Sequence, residues 1–106
     1  AEKIAFARYF DGRVSLIAGT HTHVQTADET IFPGGTGYIT DLGMCGGVES
    51  VLGVKIPLAV QRLRTKLPVR FENASGPMKL GGILAEIDER TGRTVEIRRI
   101  ALAQPV

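Results

Sequence analysis

Tryptophan is absent from this sequence, cysteine occurs once and histidine twice. The lone Cys45 excludes an internal disulfide and suits a reducing compartment. No apolar run approaches the roughly 20 residues that cross a bilayer, and no charged start followed by an apolar core marks a signal peptide. A cytoplasmic location with no membrane partner is therefore expected. Charge of one sign is also scarce. The net charge is only +2, and the nearest approach to a basic block is Arg62, Arg64 and Lys66, then Arg98 and Arg99. Nucleic-acid binders gather cations on one face, so no specific nucleic-acid binding is expected.

What is present fits a soluble globular domain, or a piece of one. Hydrophobic residues make up 43% and charged residues 23% of 106 positions. The 13 glycines imply many turns and close backbone approaches. Residues 2–10 read as a helix with Phe6 and Phe10 one turn apart and no N-cap before it, so the chain is expected to begin upstream. Residues 14–18 read as a buried strand. Residues 30–32 and 36–40 read as paired strands around the turn Pro33-Gly34-Gly35. Pro57 suits the first turn of a helix over 57–66, with Val60, Leu63 and Leu67 on one face. Residues 69–71 are a further candidate strand. Ile83, Ala85 and Ile87, then Val95 and Ile97 across Gly92, alternate with polar neighbours and predict a hairpin with one buried face. A strand directly after a helix favours an α/β fold. No linker or repeat marks an internal domain boundary.

Both histidines lie in Gly19-Thr20-His21-Thr22-His23, where a strand gives way to a loop. On an extended backbone, side chains two residues apart share a face, so His21 and His23 can address one metal or two neighbouring metals. A pair of surface or satisfied core histidines is the competing reading. Two imidazoles do not close a coordination sphere, because even a catalytic zinc needs three protein ligands. Asp28 and Asp41 are candidates to orient an imidazole through its second nitrogen; Asx turns and strand-end capping account for them better. Thr20 and Thr22 read as loop-fixing groups. Cys45, in a glycine-rich loop, reads as a buried small residue ahead of a soft metal ligand or reactive thiol. Gly34-Gly35 and Gly46-Gly47 fit tight turns and match neither a P-loop nor a dinucleotide fingerprint.

The ordered string from Gly19 to Glu29, followed by Pro33-Gly34-Gly35-Thr36-Gly37-Tyr38-Ile39-Thr40-Asp41-Leu42-Gly43-Met44, resembles bacterial calcineurin-like metallophosphoesterases of the YmdB type. The resemblance runs from the first helix through Ser50-Val51-Leu52-Gly53 and, more loosely, to the final hairpin. It implies part of a four-layer αββα sandwich, with residues 1–106 as the carboxy-terminal portion of a single domain. It implies a phosphodiesterase acting on phosphodiesters, cyclic nucleotides among them. It further implies two divalent metal ions, iron or manganese first and zinc as the alternative, with His21 on one and His23 on the other. The family's remaining ligands are an Asp, a Glu, an Asn and another His from nearer the amino terminus. No third histidine exists here, so the expected partner is the missing amino-terminal half or another copy of the chain. This chain alone is expected to be inactive. The alternative function is a non-catalytic binding or assembly module that keeps the family shape without a complete metal site.

Overall fold

The computed structural model describes residues 1–105. The chain carries two helices, α1 (Glu2–Tyr9) and α2 (Ile56–Thr65), and six strands. These are β1 (Leu16–Ala18), β2 (Thr30–Ile31), β3 (Gly37–Ile39), β4 (Gly46–Gly47), β5 (Met78–Ile87) and β6 (Thr94–Ala103). They form two three-stranded sheets of order β1-β3-β2 and β4-β5-β6. The chain divides into two compact units, residues 1–43 with 81–100 and residues 44–80 with 101–105. No linker announces that division, since its later boundaries fall inside β5 and β6.

The first unit is built around β3, whose three residues are all buried. β1 pairs with β3 in parallel, Ile17 opposite Tyr38, and β2 pairs with it antiparallel, Thr30 opposite Tyr38. The core is Ala7 of α1 with Phe32, Tyr38 and, half-buried beside them, Ile17. The Phe32 and Tyr38 rings stack with centroids 5.3 Å apart, and the Arg8 guanidinium lies 4.0 Å over the Phe32 ring. Both contacts add to simple burial. The turn between β2 and β3 uses Gly35 at φ 100°, a conformation that strains any side chain. It is pinned to the exit of α1: the Asp11 carboxylate accepts the Gly34 and Thr36 amides, and the Thr36 hydroxyl donates to Val14 O at 2.6 Å. Thr94 at the start of β6 donates its hydroxyl to Ser15 O and its amide to Gly35 O.

In the second unit β4 pairs antiparallel with β5, Gly47 opposite Met78. A Cβ at Gly47 would come within 2.9 Å of the buried Ala74 Cβ. Ala74 N donates to Gly53 O and Lys55 N to Glu72 O, which holds residues 72–74 along the approach to α2. Pro57 sits in the first turn of α2, and Lys66 closes the helix in the left-handed conformation at φ 58°.

Four sequence expectations need correction. Residues 69–71 form no strand; the extended pairing falls instead on Asn73, as a single bridge to Val54. The strand expected to be buried over 14–18 is confined to Leu16–Ala18 and only half-buried, with Val14 and Ala18 exposed. The apolar stripe of α2, for which burial is not among these expectations, is exposed, Leu63 at 74%, and only Ala59 of that helix is buried. Periodicity reports that a face wants cover, not that this chain supplies it. The final hairpin forms, yet Ile87 and Val95 remain exposed on its expected inner face. Cys45 is exposed rather than buried.

Candidate functional site

The histidine loop leaves the carboxyl end of β1 and runs beside the end of β3. Gly19 begins it. Its amide donates to Ile39 O at 3.1 Å and its carbonyl accepts Leu42 N at 2.9 Å, continuing the β1–β3 contact past the strands. A Cβ at Gly19 would stand 2.0 Å from Thr40 O, so backbone must pass backbone here without a side chain. Residues 21–24 then bend. His21 has φ 121° and His23 φ 67°. The extended backbone expected for the pair is therefore not what carries them. Such conformations are costly for residues with a Cβ, by roughly 1–3 kcal/mol each, and persist only where surroundings enforce them. Both histidines are exposed.

The enforcing group is Asp41, a wholly buried carboxylate. It accepts the Thr22 amide at 2.7 Å and the Thr22 hydroxyl at 2.6 Å, gripping the residue between the two histidines. It also accepts the Gly43 amide at 2.9 Å in an Asx turn, and Lys3 Nζ stands 3.8 Å away. Burial by itself raises such a carboxyl's pKa. The Thr22 and Gly43 donors, with the Lys3 ammonium, outweigh it and hold Asp41 below the ordinary aspartate value. For Asp28, desolvation likewise disfavours the charged form, but donors from Thr26 and Thr40 favour it more, so its pKa also lies low. It accepts the Thr26 hydroxyl at 2.6 Å and both the amide and hydroxyl of Thr40. The hydrogen bonds of both aspartates thus come from threonines and backbone amides. Thr22 is the loop-fixing group expected of it, and its hydroxyl also meets Val24 O at 3.1 Å.

Several residues that fix the loop carry no sequence signal. Lys3 of α1 donates to the carbonyls of Thr20 and Thr40. The Thr26 hydroxyl accepts Asp41 N, and Thr26 N donates to Asp41 O. The Gln25 amide reaches Ile100 O at 3.0 Å, Gly82 O at 3.1 Å and Leu42 O at 3.4 Å. Nothing in the local pattern reveals these bonds, because their partners lie 15 to 75 residues away. Arg99 adds an ion pair to Glu29 at 2.7 Å.

A depression of about 380 Å³ opens beside Gly19, lined by Phe6, Ile17, Ala18 and Tyr38 with Glu2 and Lys3. Its lining is largely apolar and neither histidine belongs to it, so it does not suit a phosphoryl group. As a metal site the loop is incomplete. Among the described residues no group of three His, Cys, Asp or Glu side chains is placed to hold an ion. Two imidazoles without a carboxylate can serve a metal only as part of a larger donor set.

A family model described as YmdB-like protein matches residues 1–100, and the chain belongs to that family. It is 48% identical over 102 residues to the 2',3'-cyclic-nucleotide 2'-phosphodiesterase of Bacillus subtilis (strain 168), covering 96% of this chain and 39% of that protein. Two crystal structures match at TM-score 0.90. One is a hypothetical protein from Thermus thermophilus, 38% identical, covering 98% of this chain and 40% of that one. The other is a novel phosphatase from Mycoplasma pneumoniae, 39% identical, covering 96% and 37%. The chain therefore spans about two fifths of the length of these relatives, and its two-helix α/β fold corresponds to a portion of theirs. No helix among the described residues is long and apolar enough to cross a membrane.

Proposed function

We propose that this chain is the carboxy-terminal part of a dinuclear metal-dependent phosphodiesterase, acting on phosphodiesters with cyclic nucleotides among them. The observation that carries the reading is the histidine loop itself. Two imidazoles sit at strained backbone positions on either side of Thr22, and a buried aspartate holds Thr22 by two short hydrogen bonds. A surface pair without a task gives no reason to maintain such strain. The likeness to the Bacillus subtilis 2',3'-cyclic-nucleotide 2'-phosphodiesterase supports the choice of phosphodiesters as substrate class.

In this reading His21 and His23 supply neutral nitrogen donors to two ions, iron or manganese, with zinc as the alternative. Asp41 acts on the loop's backbone through Thr22, and Asp28 on Thr26 and Thr40, rather than on the imidazoles. The carboxylates and other ligands come from the part of the longer relatives that has no counterpart here, or from a second copy. A dinuclear centre, once complete, lowers the pKa of a bound water and neutralises phosphoryl oxygens.

A calorimetric manganese titration of the 106-residue chain, beside a His21→Ala/His23→Ala variant, measures what the loop contributes alone. Co-expression with the amino-terminal three fifths of the Bacillus subtilis relative, followed by a 2',3'-cyclic-nucleotide assay, completes the test. Activity that returns with this chain and drops at least about a hundredfold in the double variant is the expected result. Equal activity with and without both histidines removes them from the site. The second reading, a non-catalytic assembly module, draws on the missing carboxylate ligands. It gains if the complemented pair folds, stays associated and neither binds manganese nor turns over.

A further inference from the structure

The other end of β1 carries a second polar feature, about 10 Å of strand away from the histidine loop. Residues 12–15, 34–35 and 91–93 converge there around a cleft of about 110 Å³. None of its nine lining residues is acidic, and two are arginines, Arg13 and Arg93. Four of the lining residues are glycines: the Asp11 carboxylate lies over Gly34 and the Arg93 side chain over Gly35. A Cβ added at Gly92 would lie 3.6 Å from Ser15 Oγ, so this hydroxyl lies beside that glycine.

The two guanidiniums are held in place without being neutralised. Arg93 donates through its two Nη atoms to Pro33 O and Gly34 O, each at 3.2 Å. Arg13 lies over the rings of Phe10 and Tyr9, 5.3 and 5.8 Å from their centroids. Neither forms an ion pair with a carboxylate among the described residues. The nearby acids are occupied: Asp11 by the Gly34 and Thr36 amides, Asp88 by the Arg90 amide. A small cleft with two oriented cations, a hydroxyl and no lining acid repels a metal ion and attracts a compact oxyanion.

We propose that this cleft binds a phosphate group through Arg13, Arg93 and the Ser15 hydroxyl. Its volume admits a tetrahedral anion and no nucleoside, so a phosphomonoester would place only its phosphate inside. Inorganic phosphate and the end of a phosphomonoester share that chemistry. The site is separate from residues 19–23 and stands whether or not the chain belongs to a phosphodiesterase.

Amide-resolved NMR of the 106-residue chain at constant ionic strength tests it, with inorganic phosphate in one arm and a nucleoside 3'-monophosphate in the other. Saturable shifts at the Gly12, Gly35 and Gly92 amides are expected. Saturation in one arm alone identifies which source the cleft accepts. Arg13→Gln weakens binding about tenfold, and Arg93→Lys, which keeps charge but loses the fork, weakens it by a smaller factor. An unchanged Tyr38 amide in each variant shows that the core is intact. Arg64→Gln, on exposed α2, leaves affinity unchanged. Absence of saturable shifts in both arms, or equal weakening by Arg13→Gln and Arg64→Gln, overturns the proposal.

Discussion

At the scale of single residues, Gly19 and Asp41 hold the histidine loop by opposite means, one by having no side chain and the other by the bonds its side chain accepts. Gly19→Ala forces a methyl to 2.0 Å from Thr40 O, where only movement of the backbone relieves it. Urea denaturation is expected to show a loss of at least about 2 kcal/mol, the cost of overpacking a rigid contact. A variant as stable as the parent contradicts the geometry. Asp41→Asn keeps the shape but exchanges charged for neutral acceptors, and about 2 kcal/mol of stability should go with it. The same residue sets a pH dependence. Its folded pKa is below the unfolded value of about 3.9, so the unfolded chain takes up the proton first as pH falls. The stabilisation is complete above the unfolded pKa and is lost as pH descends through the folded one. Asp28 acts in the same direction. Urea midpoints measured from about pH 6 to about pH 2 should therefore fall less steeply in Asp41→Asn than in the parent. Parallel curves remove Asp41 as the titrating group.

At the scale of elements, α2 separates what a helix needs for itself from what it offers to others. Its last turn ends on Lys66 in the left-handed region, its amide bonded 2.9 Å to Arg62 O. Glycine adopts that conformation without the Cβ clash. Lys66→Gly is expected to raise stability by about 0.5–1 kcal/mol, read from the thermal midpoint. Val60 and Leu63 carry much of the helix's apolar character, yet both lie open to solvent. Leu63→Gln should thus change stability by less than about 0.5 kcal/mol in this chain. A larger loss shows that something in solution covers the stripe. β1 presents a comparable demand. It lies at the edge of its sheet, next to the apolar depression lined by Phe6 and Ile17. Parallel strands at an open edge are unusual, because their pairing is ordinarily buried on both faces.

At the scale of the whole molecule, large hydrophobic side chains lie open to solvent in both units, Phe6 in the first and Leu63, Leu67 and Phe71 in the second. The chain is accordingly expected to self-associate when it is the only polypeptide present. Sedimentation velocity across a range of concentrations should show mass rising with concentration. A single monomeric boundary throughout contradicts that expectation. Complementation by the remainder of a longer relative should suppress the association, since both draw on the same uncovered surface.

The residues themselves settle the family and most of the elements. The string of residues 19–44 is long, ordered and chemically specific, and turn residues such as Pro33-Gly34-Gly35 and Gly92 act on their own neighbours. Local chemistry of that kind is legible because cause and effect lie within a few positions. The conformation of the histidine loop is not of that kind. Its bend at His21 and His23 depends on Asp41, Thr26, Lys3 and Gln25, whose partners lie 15 to 75 residues distant. Spacing alone suggested an extended pair, and the tertiary contacts bent it. Burial was decided in the same way. The periodicity of α2 and of the final hairpin showed which faces are apolar, whereas coverage of those faces depends on which other segments pack there. Hydrophobic pattern is a property of the sequence; a partner for it exists only in three dimensions.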